Sequence, residues 1–251
     1  MDSESIVLEQ SESGHCSIME VIDSIPVEFD TREILRTMKA GRLRRLEDKS
    51  ISALLDRGRR LIDPKAVYTF LRVKTIERDE VHLDGGHTLA SVVLADMLER
   101  DQEIAAHVVT IGPRLEKEVS EAGRSSVFRA WVLENMGDHA LAKAGAYVRS
   151  RIEERLGNAI SGFGPGTGTG RLFGIEQQKV LFQILDPAKN IGVRLTPSYL
   201  MVPRKSVSGV FAATSMEYVA CQYCPREKCQ NRRKPFSGEY YSVRCENRDL
   251  S

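Results

Sequence analysis

The sequence lacks an excess of charge of either sign, and it lacks long apolar runs. Its 251 residues include 36 Lys and Arg against 35 Asp and Glu, so the overall field gives no strong attraction to nucleic acid or to an anionic membrane. No apolar run approaches the roughly 20 residues of a membrane-spanning helix. The start, MDSESIVLEQ, has neither the basic nor the apolar region of a signal peptide. We therefore expect a cytoplasmic protein without a membrane segment, which recognises partners through local surfaces.

The sequence also lacks the patterns of several enzyme classes. Its five histidines are scattered, with no pair at the spacing of a metal-binding helix. No Ser-His-Asp or Cys-His set can be assigned from their order along the chain. We therefore predict no catalytic side chain.

The glycine-rich segment ISGFGPGTGTGRLFG at 160–174 lacks the spacing of a phosphate-binding loop. A GxGxxG motif would need a third glycine where Thr167, Thr169 and Arg171 stand, and a Walker loop would need a Gly-Lys-Ser/Thr ending. The segment also follows a helical pattern, whereas both motifs follow a strand. A nucleotide phosphate site is therefore disfavoured, which leaves a solvated linker or another kind of ligand loop.

Cysteine is absent between Cys16 and Cys221, but Cys221, Cys224, Cys229 and Cys245 are crowded into the end of the chain. In a reducing compartment such clustering indicates a metal site before it indicates disulfides. The spacing Cys-x2-Cys-x4-Cys places three thiolates on a tight turn, and Cys245 can complete a set of four. Four soft ligands suit zinc or an iron–sulfur cluster, so the tail is predicted to bind one of the two.

The residues around the cysteines bear on which metal is bound and on what the surrounding basic surface contacts. Pro225 directly follows Cys224, as prolines follow cysteines in ferredoxin-like sequences, which favours iron–sulfur slightly over zinc. A basic, aromatic-bearing metal knuckle can also bind nucleic acid through phosphate contacts and base stacking. We favour a solvated surface that docks an acidic partner, formed by Arg226, Lys228, Arg232, Arg233, Lys234, Tyr240, Tyr241 and Arg244.

Hydrophobic periodicity predicts an α+β fold with a mixed or largely antiparallel sheet and flanking helices, because helices and strands alternate irregularly. We expect a disordered arm over 1–24, one domain over 25–215 and the cysteine-rich metal-binding tail over 216–251. Helices are predicted from Asp30 onward and at 49–62, 88–99, 113–119, 133–156 and 180–185. Strands are predicted at 66–76, 81–83, 104–111, 193–195, 199–202 and 206–214.

Several segments, in a fixed order, carry a family resemblance. They are VTIGPRLEKEVSE at 109–121, YVRSRIEERLG at 147–157, the glycine-rich segment, EQQKVLFQILDP at 176–187, IGVRLTPSYLMVPRKSVSGV at 191–210 and the CxxCxxxxC tail. Together they resemble the activation domain of cobalamin-dependent methionine synthase. They resemble more closely the small stand-alone bacterial and archaeal proteins related to that domain. The resemblance covers roughly residues 60 to 230.

This resemblance implies S-adenosylmethionine-dependent reductive reactivation of a corrinoid methyltransferase such as methionine synthase. The domain positions the sulfonium methyl group over a cob(II)alamin, an electron donor supplies the electron, and proximity carries the reaction. The chain has no Asp-x-His-x-x-Gly motif, so cobalamin is expected only on a separate partner, methionine synthase or another corrinoid protein. The chain is thus an enzyme, and part of methionine biosynthesis, only if S-adenosylmethionine is bound. The alternative is a non-catalytic docking or metal-knuckle protein that binds a corrinoid protein or nucleic acid.

The resemblance also implies binding residues in the glycine-rich segment. The family motif is Arg-x-x-x-Gly-Tyr; Gly166 matches its glycine and Pro165 the neighbour, but Gly162 stands at the arginine position and Thr167 at the tyrosine position. Losing a charge-assisted carboxylate clamp costs about 1.5–3 kcal/mol. We expect either that Arg171 replaces the missing guanidinium or that the segment has lost its ligand.

A second wall of the site is expected from 194–209. Small residues there would let the backbone approach a flat ligand, and Tyr199 offers a ring and a hydroxyl. Core strands with a turn at 203–205 explain the same pattern equally well. Two acidic residues, Glu176 and Asp84, could face a cationic ligand, although each also suits a helix start or a turn. The residues predicted to bind the cofactor are Pro165, Gly166, Thr167, Arg171, Tyr199, Ser206, Ser208 and Gly209.

Overall fold

An antiparallel sheet of eight strands forms the centre of the protein. The computed structural model describes residues 4–10, 16–28, 33–34, 49–157, 159–167, 172–215, 217–229 and 232–237. The strands are β1 (Glu4–Gln10), β2 (Cys16–Ile22), β3 (Lys65–Glu77), β4 (Glu80–Leu83), β5 (Thr88–Ala90), β6 (Glu103–Thr110), β7 (Ile160–Phe163), β8 (Arg194–Leu195), β9 (Met201–Val202) and β10 (Ser206–Ala213). The main order is β1-β2-β3-β6-β10-β7, with β4 and β5 added beside β3, while β8 and β9 form a separate pair.

Helices cover both faces of this sheet. They are α1 (Lys49–Arg59), α2 (Val92–Met97), α3 (Arg114–Ser125), α4 (Val127–Leu156), α5 (Gln178–Leu185) and α6 (Pro187–Ile191). One face packs against α4, whereas the other packs against α2, α5 and α6. Among the described residues, no helix is both long and apolar enough to cross a membrane.

The central strand β6 explains why both faces need a cover. Its residues from Ile104 to Thr110 are all buried, as expected for a strand between two helical layers. The small side chains of Ala105 and Ala106 allow helices to approach closely on either side. The buried strand predicted from this apolar run is therefore confirmed.

The long helix α4 positions the groove described below. Ser126 caps its first turn by accepting the backbone N–H of Arg129 at 3.3 Å. Residues four apart, Ala140, Ala144, Val148 and Ile152, are fully buried against the sheet. The helix ends at Gly157, whose positive φ of 92° suits a glycine and turns the chain toward β7.

Two predicted elements differ from the structure. The helix predicted at 88–99 is shorter, because residues 88–90 form β5 and Ser91 then caps α2 by accepting the N–H of Leu94. The start of the glycine-rich segment, predicted as a loop, is the edge strand β7, which pairs with β10. Three of the four β7 residues are buried, so packing against the sheet outweighs the conformational freedom of Gly162.

Part of the segment predicted as a disordered arm over 1–24 is paired in the sheet, within the described residues 4–10 and 16–24. Strand β1 pairs with β2, and β2 pairs with β3, which extends the sheet. Met19, Val21 and Ile22 are buried, so apolar burial holds β2 in place despite the polar sequence around it. Most of the helix predicted from Asp30 onward lies outside the described residues, as do Cys245 and the basic residues after 237.

Candidate ligand groove

A groove with a volume of about 590 Å³ lies where the sheet edge formed by β7 and β10 faces α4. Its far side is closed by the segment 217–220 from the start of the cysteine-rich tail. This volume is within the range of about 300–1,000 Å³ that holds small-molecule ligands. The predicted ligand segment therefore borders a real concavity, through Gly162, Gly164 and Thr167.

Small residues on α4 leave this groove open. Ala142, Gly145 and Ala146 form the helical wall, and a Cβ added at Gly145 would meet no atom within 4 Å. A glycine inside a helix costs about 1 kcal/mol relative to alanine. The packing of the helix does not require this glycine, so its effect is to keep space in the groove.

The sheet side of the groove is packed much more tightly. Gly162 lies opposite Phe211 in the register of β7 and β10, and a Cβ at 162 would come within 3.0 Å of the Phe211 ring. Gly209 lies opposite His107, and a Cβ there would be 2.5 Å from the carbonyl oxygen of Phe163. Gly209 thus permits the close approach of β7 and β10 rather than lining the groove.

His107 and Phe211 form an aromatic pair beside the glycines. Their ring centroids are 4.3 Å apart and the rings are nearly parallel, at 13°. Burial lowers the pKa of His107 to about 3, so its imidazole is neutral at physiological pH. Its Nδ1 has no hydrogen-bond partner within the described part of the chain, which leaves a buried polar atom next to the groove.

Charged groups of both signs lie at the rim of the groove. Arg149 donates from Nε to Glu153 at 2.8 Å and from Nη2 to the carbonyl oxygen of Ile160 at 2.6 Å. Lys234, hydrogen-bonded to Glu217, is the main cause that lowers the pKa of this carboxyl, and Arg149 adds to the effect. Arg233 is also on the rim. A ligand with a carboxylate and an ammonium group would find a counter-charge for each.

The turn after β7 is held by its own hydrogen bonds. Thr167 donates its hydroxyl to the carbonyl oxygen of Gly164 at 2.6 Å, and Gly166 donates its N–H to the carbonyl oxygen of Phe173 at 2.8 Å. Gly166 has a positive φ of 77°, which explains a glycine at this position. The turn is therefore an ordered part of the rim, in contrast to the solvated linker that glycine content alone would allow.

The structure separates the predicted binding residues into groups. Thr167 and Ser208 line the groove, whereas Pro165 and Gly166 form the turn that supports it. Ser206 is buried and hydrogen-bonded to Thr110 and to the carbonyl oxygen of Pro203, so it belongs to the sheet core.

Three other predicted residues do not line the groove. Tyr199 lies elsewhere, with the Lys179 ammonium 4.9 Å from its ring centroid. Asp84 accepts the N–H of Arg72 in a turn, and Glu176 is in a short 3-10 turn before α5. Arg171 lies outside the described residues. Sequence reasoning also missed His107, Gly145, Arg149 and Phe211, which the register and the helical phase bring to the groove.

The cysteine-rich tail is organised around Arg232. Its guanidinium donates to the carbonyl oxygens of Cys221 at 2.7 Å and Cys224 at 3.1 Å. The backbone N–H of Arg233 donates to the Cys221 sulfur at 3.4 Å, and this is the main cause that lowers the pKa of the thiol. Within the described residues, no group of three or more His, Cys, Asp or Glu side chains is placed to hold a metal ion. Because Cys245 lies outside them, the four-cysteine site stays a prediction.

A second concavity, of about 680 Å³, lies on another part of the surface. It is lined by residues such as Ile25, Glu33 and Lys143, of which the last two form an ion pair at 2.9 Å. It contains no residue of the glycine-rich segment and no predicted binding residue, so we do not treat it as the ligand site.

Comparison with known proteins places these observations in a family. No curated protein matches the chain by sequence. Among solved structures, a crystal structure of the MetH reactivation domain bound to AdoHcy matches with a TM-score of 0.54 and 17% sequence identity. That match covers 77% of this chain and 73% of the other chain, and it establishes the shared fold. The family model described as "Vitamin B12 dependent methionine synthase, activation domain" matches residues 63–234, which is more than half of the chain. The chain therefore belongs to the family of vitamin B12-dependent methionine synthase activation domains.

Proposed function

We propose that the groove binds S-adenosylmethionine, and that the protein uses it in the reductive reactivation of a corrinoid methyltransferase carried by a separate chain. The observation that carries this proposal is the groove itself. It opens beside Gly162, Gly164 and Thr167, in the segment that corresponds to the family's ligand motif, although Gly162 and Thr167 replace the arginine and the tyrosine of that motif. The similar solved structure is that of a reactivation domain bound to AdoHcy, which is the demethylated product of this donor.

The chemistry of the groove suits a nucleoside joined to an amino acid. The paired rings of His107 and Phe211 offer an apolar surface beside which a flat base can pack. The charges of Arg149 and Glu217 at the rim complement a zwitterionic amino-acid group. Gly145 and its small neighbours leave room for the ligand on the α4 side.

The residues of this chain would act by holding the methyl donor. The described part of the groove contains one histidine, and its low pKa makes it a poor proton donor or acceptor at neutral pH. The rate would therefore come from proximity and orientation of the sulfonium methyl group toward the partner. Cobalamin, bound by the partner, supplies the cobalt that accepts the methyl group.

The binding experiment is calorimetric titration of the full chain with S-adenosylmethionine and with S-adenosylhomocysteine. We expect saturable binding to the wild type and at least a tenfold loss in Gly145→Leu, whose side chain would fill the groove. Gly123→Leu is the matched control, because Gly123 is also a helical glycine, with only the Ala130 Cβ at 3.7 Å from an added Cβ, but lies outside the groove. No binding to the wild type would exclude the methyl-donor role and leave the docking function.

The methyl-transfer step needs its own measurement. Under reducing anaerobic conditions, labelled methyl groups from S-adenosylmethionine are expected on cobalamin bound to a purified methionine synthase fragment that lacks its own activation domain. Gly145→Leu should abolish this transfer while Gly123→Leu supports it. Binding without transfer to this fragment would mean that the acceptor is a different corrinoid protein or that the chain only docks.

One feature favours the docking alternative. Gly162 replaces the arginine of the family motif, which removes a charged contact to the ligand. The open groove argues against this alternative. Alanine at position 145 would stabilise α4, so a protein without a ligand would gain stability by losing the glycine that keeps the groove open. The open groove therefore supports retained binding over the loss of the ligand.

A further inference from the structure

Arg149 and Gly162 converge on one aromatic ring, although they come from different elements. Gly162 is the register partner of Phe211, and a Cβ at 162 would be 3.0 Å from the Phe211 Cε1. The guanidinium carbon of Arg149 is 5.8 Å from the centroid of the same ring. Arg149 also donates to Ile160, two positions before Gly162 on β7. A guanidinium from α4 is therefore anchored on the strand whose own arginine is missing.

We propose that Arg149 binds the carboxylate of the ligand's amino-acid group, in place of an arginine at position 162. This proposal rests on the function proposed above, because it assigns one contact within the same groove. The glycine-rich segment would then contribute backbone and shape, and α4 would contribute the charge. Arg171 would not be needed for this contact.

The hydrogen bonds of Arg149 leave it able to take a ligand. A guanidinium has five N–H donors, and the bonds to Glu153 and Ile160 use one from Nε and one from Nη2. Nη1 has no hydrogen-bond partner among the described residues, and the side chain is 43% exposed. The two existing bonds fix the direction of the side chain, so a carboxylate would meet a group that is already ordered.

Glu217, which also lines the groove, provides the complementary charge. Its carboxyl is near enough to Arg149 for the guanidinium to contribute to its lowered pKa. An ionised carboxylate can accept a hydrogen bond from the ligand's ammonium group. The chemistry at this end of the groove therefore matches a free α-amino acid group, and a nucleoside that lacks this group would make no contact with Arg149 or Glu217.

Two probes that differ only at this end test the assignment. S-adenosylhomocysteine carries the amino-acid group, whereas 5′-methylthioadenosine keeps the nucleoside and the sulfur but lacks that group. We expect Arg149→Ala to weaken binding of S-adenosylhomocysteine by tenfold or more, and to change binding of 5′-methylthioadenosine less than twofold. Arg149→Lys should give an intermediate loss, because lysine keeps the charge but cannot make a bidentate contact.

Arg155→Ala is the matched control. Arg155 is on the same helix and pairs with Glu103 at 2.7 Å, but it does not line the groove. It should leave both affinities unchanged. Arg149→Ala also removes the hydrogen bond to the carbonyl oxygen of Ile160. Unchanged binding of 5′-methylthioadenosine to this variant would show that the groove stays intact without that bond.

The outcomes separate this assignment from the proposed function. If the wild type binds neither probe, the proposed function and this assignment both fail. If the wild type binds S-adenosylhomocysteine and Arg149→Ala binds it equally well, only the assignment is overturned. Equal losses for both probes would show that Arg149 maintains the shape of the groove, which also overturns the assignment. A selective loss in Arg233→Ala instead would assign the carboxylate to the other rim arginine.

Discussion

The buried imidazole of His107 should make the protein less stable in mild acid. Burial lowers its pKa from 6.5 to about 3. At neutral pH the imidazole is uncharged in the folded protein and mostly uncharged in the unfolded chain. As the pH falls below the unfolded pKa, the unfolded chain takes up a proton that the folded protein does not, so folding loses stability down to the folded pKa. One pH unit corresponds to about 1.4 kcal/mol, which gives a loss of about 2 kcal/mol near pH 5.

This loss can be assigned to His107 by comparison with one variant. His107→Phe keeps an aromatic ring against Phe211 but has no titratable nitrogen. Urea unfolding of both proteins near pH 8 and near pH 5 gives four free energies of unfolding, and carboxyl groups that titrate in both proteins cancel in the double difference. The wild type should lose about 2 kcal/mol more than the variant, out of about 5–15 kcal/mol in total. Equal losses would refute the reasoning, because His107 would then be protonated in the folded state.

The remaining predictions concern two glycines and the cysteine-rich tail. Gly145→Ala should raise the free energy of unfolding by about 1 kcal/mol, because the added methyl meets no atom within 4 Å; urea unfolding checks this, with Gly123→Ala as the reference for a helical glycine outside the groove. Gly209→Ala should lower the melting temperature strongly, because its Cβ would be 2.5 Å from the carbonyl oxygen of Phe163; a wild-type melting temperature would contradict the close approach of β7 and β10. Anaerobically purified protein should contain zinc or an iron–sulfur cluster, and Cys224→Ser should lower its metal content. Elemental analysis and the visible spectrum measure this content and distinguish the two metals. A metal-free wild type would contradict the predicted metal site.

Much of the fold could be predicted from hydrophobic pattern, because its central elements have strong and continuous signals. Strand β6 is a mainly apolar run in which His107 is the one polar residue between Ile104 and Val109, and the buried residues of α4 recur every three or four positions. The segments at 16–22 and 88–90 are short and carry polar residues, so their pattern is weak. They become strands because β3 and β4 supply pairing partners, and pairing between distant segments is not visible in a local pattern.

The residues of the groove could be predicted from the sequence only where they lie in a loop or next to one. Glycine content and the family resemblance led to Thr167, and the segment around Ser208 was expected as a wall. Gly145 and Arg149, in contrast, fall in the middle of a helical pattern, where a glycine is usually a tolerated defect and an arginine a solvated side chain. Their role depends on how α4 is rotated relative to β7, which is fixed by the burial of other residues of the helix.

The departure from the family motif at Gly162 is therefore linked to the residues around it. An arginine restored at this position would have to displace Phe211, because even a Cβ would come within 3.0 Å of the ring. Phe211 in turn stacks on the buried His107, so a shift of the ring would disturb this aromatic pair. We expect Gly162→Arg to lose stability without gaining affinity, whereas an arginine from α4 reaches the same ring without this conflict. If calorimetry showed that Gly162→Arg binds the ligand more tightly than the wild type, this expectation would be wrong. The Phe211 ring would then be able to move aside, and the missing guanidinium alone would limit the affinity.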